Sequence, residues 1–273
     1  MPVFPVVLSV PHAGQDYPEA LLADAAVPAE RLRLLEDRHA DKLIMALLEK
    51  DATAIVAHRA RAWLDLNRDP RELDSGMIAG LPSTQNLITT RSKGGLGLIP
   101  RRLGNSGELW RRKFSASEIS QRIAGHHQPY HAAISAALSN AYQRFGIAIL
   151  LDCHSMPPIR ATGGGTSPII VIGDRFGRSA GSTFTDCVEA VARRHGLGLA
   201  RNAPYAGGYS LDRHGRPPRG VHAIQVEIDR SLYLDESAQS PGKGLAAMQF
   251  FLGDVFDALV NEALAAGTAI AAE

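Results

Sequence analysis

The sequence predicts an α/β fold: a mostly parallel or mixed sheet covered by helices on both faces. Three observations predict it. Short continuous apolar runs alternate with segments of helical periodicity. Several of those runs stop at turns rich in His, Asp and Glu. Finally, 45% of the 273 residues are hydrophobic and 21% charged, ordinary globular usage with ample core for a chain of this size. No linker-like stretch separates two self-sufficient cores, so residues 1–273 are expected to form a single domain.

The elements follow in order. Val6-Val7-Leu8-Ser9-Val10 reads as a buried strand stopped at Pro11-His12-Ala13-Gly14. From about Pro28 to Lys50, Leu32, Leu35, Leu43, Ile44 and Leu47 recur at helical spacing, which predicts an amphipathic helix. Ile55-Val56 is a short strand, and Ala62 to Leu66 a second that ends at Asn67-Arg68-Asp69-Pro70. Ser75 to Gly107 is rich in Gly, Pro, Ser and Thr and reads as a long irregular excursion, a feature often tied to function. Ser115 to Arg144 is helical, with Pro129 as a start or kink. Ile147 to Leu151 is the strongest strand and ends at Asp152-Cys153-His154-Ser155. Ile169 to Ile172 is another, ending at Gly173-Asp174. Ser182 to His195 is a helix stopped by Gly196, Ala223 to Ile228 a strand, and Gly244 to Ala266 a closing helix.

Charge and cysteine usage exclude several classes. Lys and Arg number 29 against 28 Asp and Glu, a formal net charge of +1. No basic excess is available to neutralise a phosphate backbone, so no nucleic-acid partner is expected. No run approaches the roughly 18 apolar residues of a membrane span, so no membrane partner is expected either. Cys153 and Cys187 do not make a disulfide framework. The first residues lack a signal peptide's basic and apolar regions, which predicts a cytoplasmic protein.

Polar groups follow the strands at His12, at Asp152 and His154, at Asp174, and at Glu227 with Asp229 and Arg230. Parallel strands gather such groups at the carboxyl edge of the sheet, where α/β ligands bind; an antiparallel strand would not contribute. Two histidines with carboxylates suggest a metal, since a catalytic zinc commonly takes three His, Asp or Glu ligands and leaves one position open. His12 and His154 are the first two candidates, although a histidine in a turn also serves as a hydrogen-bonding strut. Glu36-Asp37-Arg38-His39-Ala40-Asp41 offers the third. On a helix Asp37 and Asp41 share a face, so either can serve while Glu36 and His39 stay solvated.

Other clusters are candidates for substrate contact. Asn67 and Arg68 lie in the stretch from Asp65 to Pro70, and an arginine grips a carboxylate with a two-point fork; a surface loop held by Asp–Arg pairing would look the same. His126, His127 and His131 read as supporting structure. The His127/His131 pair lacks the intervening Glu of the HExxH motif. Asn202 to Tyr209 carries paired glycines, Gly207 and Gly208, beside Tyr209, and glycine permits close backbone approach to a ligand. There is no phosphate-binding GxxxxGK[ST] loop and no GxSxG elbow.

Taken in order, these blocks resemble the N-formylglutamate amidohydrolase family. The matching stretches are residues 9–14, 37–41, 65–70, 95–100, 129–131, 152–157, 202–209 and 222–227. The resemblance implies a single catalytic amidohydrolase domain with a fold like the zinc exopeptidases and cell-wall amidases. It implies one Zn2+ per chain on His12, Asp37 and His154, with Asp41 matching the pattern as well, and Glu227 as catalytic base. It implies a small N-acyl amino acid as substrate, most simply N-formyl-L-glutamate in histidine degradation. Asn67, Arg68, Arg213, Gly207 and Tyr209 would bind that substrate; Arg59, Arg61, Arg175 and Arg230 are further cationic candidates for its two carboxylates. The family's usual Ser in the first turn is Ala13 here. The sequence leaves oligomeric state and acyl preference open, and a peptidoglycan amide or a non-catalytic carboxylate-binding role remain alternatives.

Overall fold

The computed structural model describes residues 2–80, 86–104, 107–159 and 167–270. Its strands are β1 (Val6–Val10), β2 (Thr53–Val56), β3 (Ile78–Ala79), β4 (Phe114–Ser115), β5 (Ala148–Met156), β6 (Ile170–Gly173), β7 (Leu199–Arg201) and β8 (Val221–Asp229). Its helices are α1 (Glu19–Asp24), α2 (Ala29–Leu32), α3 (Ala40–Leu43), α4 (Met45–Leu48), α5 (Thr90–Lys93), α6 (Ala116–Arg122), α7 (Gln128–Phe145), α8 (Ser182–Arg194), α9 (Tyr209–His214) and α10 (Leu245–Ile270). None of the described helices is long and apolar enough to cross a membrane. The chain divides into two compact units, one of Met1–Val10, Asp37–Val56 and Ala133–Glu273, the other of Pro11–Glu36 and Ala57–Ala132.

The first unit is a mixed α/β layer built on a six-stranded sheet in the order β2-β1-β5-β8-β6-β7. β2, β1, β5 and β8 run parallel, whereas β6 is antiparallel to β8 and parallel to β7. β1 and β5 are buried along their whole length, which is why they read as unbroken apolar runs at their starts. The long helix α10 packs on β1, β5, α3, α4 and α8. Phe251, Leu252, Val255, Phe256 and Leu259 of α10 are fully buried and recur at the spacing of one helical face. Each such side chain contributes about 1.5–3 kcal/mol on burial. Helix α9 lies against β5 and β8.

The second unit is made of short pieces. β3 and β4 pair in parallel over two residues each. α6 starts on a capping box, in which Ser115 accepts from the Glu118 amide and Glu118 accepts from the Ser115 amide, satisfying two orphan donors. A turn of π-helix from Ile123 to His127 then leads into the start of α7, where Pro129 is the second residue. The buried Arg122 guanidinium lies 3.8 Å from the Trp63 ring centroid and 4.2 Å from that of Phe114, a cation–π sandwich.

Four sequence expectations are corrected. The helix expected from about Pro28 to Lys50 is broken. α2 passes into a single 3-10 turn, Glu36 is extended, and His39 caps α3 at φ 59°. Leu32, Leu35, Leu43, Ile44 and Leu47 are all buried as their periodicity requires. The break instead turns Glu36 and Asp37 inward, where Glu36 accepts from the Tyr17 hydroxyl at 2.6 Å. Ala62 to Leu66 forms turns, not a strand. β5 continues through Asp152 and His154, which lie within the strand and not after it. Asp174 follows an antiparallel strand and caps its own turn, bonding Asn202 Nδ2 at 2.7 Å and the Gly177 amide at 3.1 Å, so it does not join the strand-end groups.

Candidate active site

Strand pairing in the first unit builds a polar ladder. Ser9 of β1 is in register with Asp152 of β5, which is in register with Gln225 of β8; one step on, His154 pairs with Glu227. Register partners share a sheet face and so do residues two apart, so all five lie on one face. Ser9 Oγ donates to Asp152 Oδ1 at 2.6 Å, and His154 Nε2 donates to Asp152 Oδ2 at 3.0 Å. The other ring nitrogen, His154 Nδ1, is 2.9 Å from Asp37 Oδ2. Gln225 Nε2 donates to Glu227 Oε1 at 2.8 Å and so orients that carboxylate. Burial pulls the His154 pKa down, but the charge and hydrogen bond of Asp152, the Asp37 bond and the Glu227 charge outweigh it and hold the pKa well above the usual histidine value.

Asp65 is the hub of the second unit. It is almost wholly buried and accepts four hydrogen bonds: His12 Nε2 at 2.7 Å, Arg61 Nε at 2.9 Å, Arg61 Nη2 at 2.8 Å, and the Asn67 amide at 2.9 Å. Burial alone would raise its pKa; Arg61, Arg68 and His12 together hold it well below the ordinary carboxylate value. The backbone that follows is braced from α7 and the turn before it. His127 Nε2 donates to the Arg68 carbonyl at 2.9 Å and His131 Nε2 to the Leu66 carbonyl at 2.8 Å. The two histidines are thus supporting structure, as their sequence setting suggested.

His12, Asp37 and His154 are all buried and offer ligand atoms within 4.8 Å of one another. Two imidazoles and one carboxylate are a donor set suited to zinc and to other divalent ions of similar preference, so this group could hold a metal ion. Each histidine already has Nε2 on an aspartate, the arrangement usual for a metal-binding imidazole. Of the two aspartates, Asp37 belongs to this group and bonds His154, whereas Asp41 is in the first turn of α3. The expectation that Glu36 stays solvated fails, since Glu36 is buried; His39 is only half-buried, with Nε2 donating to the Gln239 carbonyl at 2.9 Å.

The same chain matches the sequence profile of N-formylglutamate amidohydrolases from residue 4 to residue 234.

The chain belongs to the N-formylglutamate amidohydrolase family.

Members of that family are hydrolases acting on an amide, and this chain is one of them. It is 30% identical to an N-formylglutamate deformylase of Pseudomonas aeruginosa, over 86% of this chain and 84% of the relative. It is 29% identical to one of Pseudomonas putida, over 85% and 83%. Among solved structures, an N-formylglutamate amidohydrolase from Ralstonia eutropha JMP134 superposes with a TM-score of 0.86 at 32% identity, over 96% of this chain and 94% of that one. A protein of Agrobacterium tumefaciens shares the fold at 21% identity and TM-score 0.67, over 94% and 90%.

Within this family member the expected substrate contacts divide. Arg68 is buried, and its fork is directed at the protein. Nε donates to the Leu96 carbonyl at 2.9 Å, Nη1 to the Asn67 carbonyl at 2.8 Å, and Nη2 is 3.7 Å from Asp65. Burial lowers its pKa, and the Asp65 charge opposes that. Asn67 is buried beside it. Arg213 is exposed, with Nη1 donating to the Tyr209 hydroxyl at 3.1 Å one turn earlier on α9. Gly207 has φ 104°, where L side chains are strained, and a Cβ there would come within 2.4 Å of Leu211 Cδ2, so backbone conformation and packing both favour glycine without a ligand. Of the further arginines, Arg59 pairs with Asp16, Arg61 with Asp65 and Arg175 with Asp212. Sequence reasoning missed Asp65 and Asp152 as partners of the two histidines. The available signal was an aspartate two residues before His154 on one strand face, and an arginine four residues before Asp65.

Proposed function

We propose that this chain hydrolyses the amide of N-formyl-L-glutamate to formate and L-glutamate, acting as one catalytic domain with zinc held by His12, Asp37 and His154. The observation that carries the reading is the buried His/Asp/His group in a chain whose curated relatives are N-formylglutamate deformylases. A zinc ion there would supply Lewis acidity, lowering the pKa of a water and polarising the formyl carbonyl. Glu227, in register with His154 and oriented by Gln225, takes the proton from the attacking water. The formyl C–N bond breaks after water adds to the formyl carbon, and Glu227 returns its proton to the leaving amine nitrogen. Arg68, Asn67, Arg213, Tyr209 and the backbone at Gly207 bind the amino acid portion, the arginines meeting its carboxylates, Arg68 through Nη2, since its Nε and Nη1 are on the Leu96 and Asn67 carbonyls. The substrate is a small molecule; the setting we propose is histidine catabolism in the cytoplasm.

Turnover assays on N-formyl-glutamate, N-acetyl-glutamate, N-formyl-aspartate and a muramyl peptide, with and without added zinc, test the proposal. Formate release from N-formyl-glutamate that is lost on chelation and restored by zinc is expected. Preferential cleavage of another member of the set would replace the substrate, and unchanged activity after exhaustive chelation would remove the metal.

A further inference from the structure

We infer that Asp65 and Asp152 are a matched pair of positioning residues, each gripping the Nε2 of one histidine so that Nδ1 is the atom presented to the metal. The inference rests on the reading of His12 and His154 as metal ligands and extends it to which ring nitrogen binds and what fixes it. His154 shows the arrangement directly: Nε2 lies 3.0 Å from Asp152 Oδ2, while Nδ1 is 2.9 Å from Asp37 Oδ2, the carboxylate that shares its metal group. His12 repeats the grip, with Nε2 2.7 Å from Asp65 Oδ1. An imidazole whose Nε2–H is donated to a carboxylate has its lone pair on Nδ1, and the carboxylate strengthens that nitrogen as a donor.

The two aspartates are held still by different means. Asp152 is fully buried in β5, and the Ser9 hydroxyl pins its second oxygen at 2.6 Å. Asp65 sits in a turn, where strand pairing cannot fix it. Arg61 grips it with two nitrogens, the Asn67 amide adds a third bond, and Arg68 lies 3.7 Å away. A strand-borne aspartate needs only a hydroxyl, whereas a turn-borne one takes a guanidinium clamp and a backbone amide. The clamp also ties His12 to the stretch that carries Asn67 and Arg68, so Asp65 sets two groups at once.

The test is metal binding, read separately from activity. Asp152→Asn and Asp65→Asn are titrated with zinc against a chelator of known affinity, beside the parent. Loss of a carboxylate behind a ligand histidine typically weakens metal binding about 10–100-fold, and that loss is expected for each variant, with the melting temperature of metal-free Asp152→Asn close to that of the parent. Zinc affinity within about twofold of the parent in both variants would overturn the inference. Nitrogen-15 NMR of the zinc-loaded parent keeps the question open to refutation if Asp65→Asn fails to fold: both rings should be coordinated through Nδ1 with a proton on Nε2, and coordination through Nε2 overturns it. If the parent binds no zinc, the metal reading itself fails. The ring tautomers of the metal-free parent at high pH then still decide whether the aspartates hold Nε2–H.

Discussion

His154 of β5 and Glu227 of β8 are register partners on adjacent parallel strands. Neighbouring strands lie about 4.7–4.9 Å apart and register partners share a face, so the proposed ligand and the proposed base are fixed by backbone pairing, not by loop conformation. Glu227→Gln keeps the shape and the Gln225 neighbour but cannot accept a proton. We expect kcat to fall by about 10²–10⁴, the usual worth of general acid–base help, with zinc content unchanged. Metal analysis and kinetics on one preparation check this; loss of zinc would make Glu227 a ligand, and near-normal kcat would make it structural.

His12→Ala and His154→Ala should each abolish bound metal and activity together, because a three-ligand site reduced to two holds zinc weakly. Equilibrium dialysis followed by metal analysis reads the stoichiometry, expected at about one zinc per chain in the parent. Retention of stoichiometric zinc in either variant counts against that histidine as a ligand.

Arg68→Lys keeps the charge but cannot reach both the Leu96 and Asn67 carbonyls with a single nitrogen in the planar geometry of a guanidinium. Lost charge-assisted hydrogen bonds are worth about 1.5–3 kcal/mol each. The variant should therefore melt earlier and show a reduced kcat/KM. Unchanged kcat/KM with a lowered melting temperature would confine Arg68 to holding the loop and pass the anchoring role to Arg213.

Gly207→Ala places a methyl against Leu211 at a positive φ. Strain of this kind costs about 1–3 kcal/mol, so the midpoint of urea unfolding should fall. A variant as stable as the parent would show that α9 shifts freely to accept the methyl.

His214 is buried at the end of α9, and burial, aided by the charges of Arg213 and Arg216, lowers its pKa to about 4. The unfolded chain, with a histidine pKa of about 6.5, binds more protons than the folded one between these values. This group's contribution therefore costs stability progressively as pH falls from about 6.5 to about 4, and is constant above and below that window. His214→Gln should flatten urea midpoints against pH in that range relative to the parent. An identical pH profile would show that His214 titrates alike in both states.

The sequence by itself carried most of the regular elements and the residues of the candidate site. Val6–Val10 and Ile170–Ile172 were legible as near-continuous apolar runs and Ala223–Ile228 as an alternating one in which Ile224, Val226 and Ile228 are buried apolar residues, and the long α10 because its buried stripe repeats at helical spacing. His12, His154 and Glu227 were legible because polar residues interrupt or follow those runs. The tertiary structure alone decided three things. It broke the helix around Asp37, since a carboxylate that bonds His154 across 117 residues of chain outweighs local helical propensity. It reversed β6, which took Asp174 out of the set. And it turned Asp65 and Asp152 onto the two histidines. Periodicity reports which side of an element is buried; it cannot report which buried polar group meets which. That pairing is set by strand order, register and the need of every buried charge for a partner, and those exist only once the chain has folded.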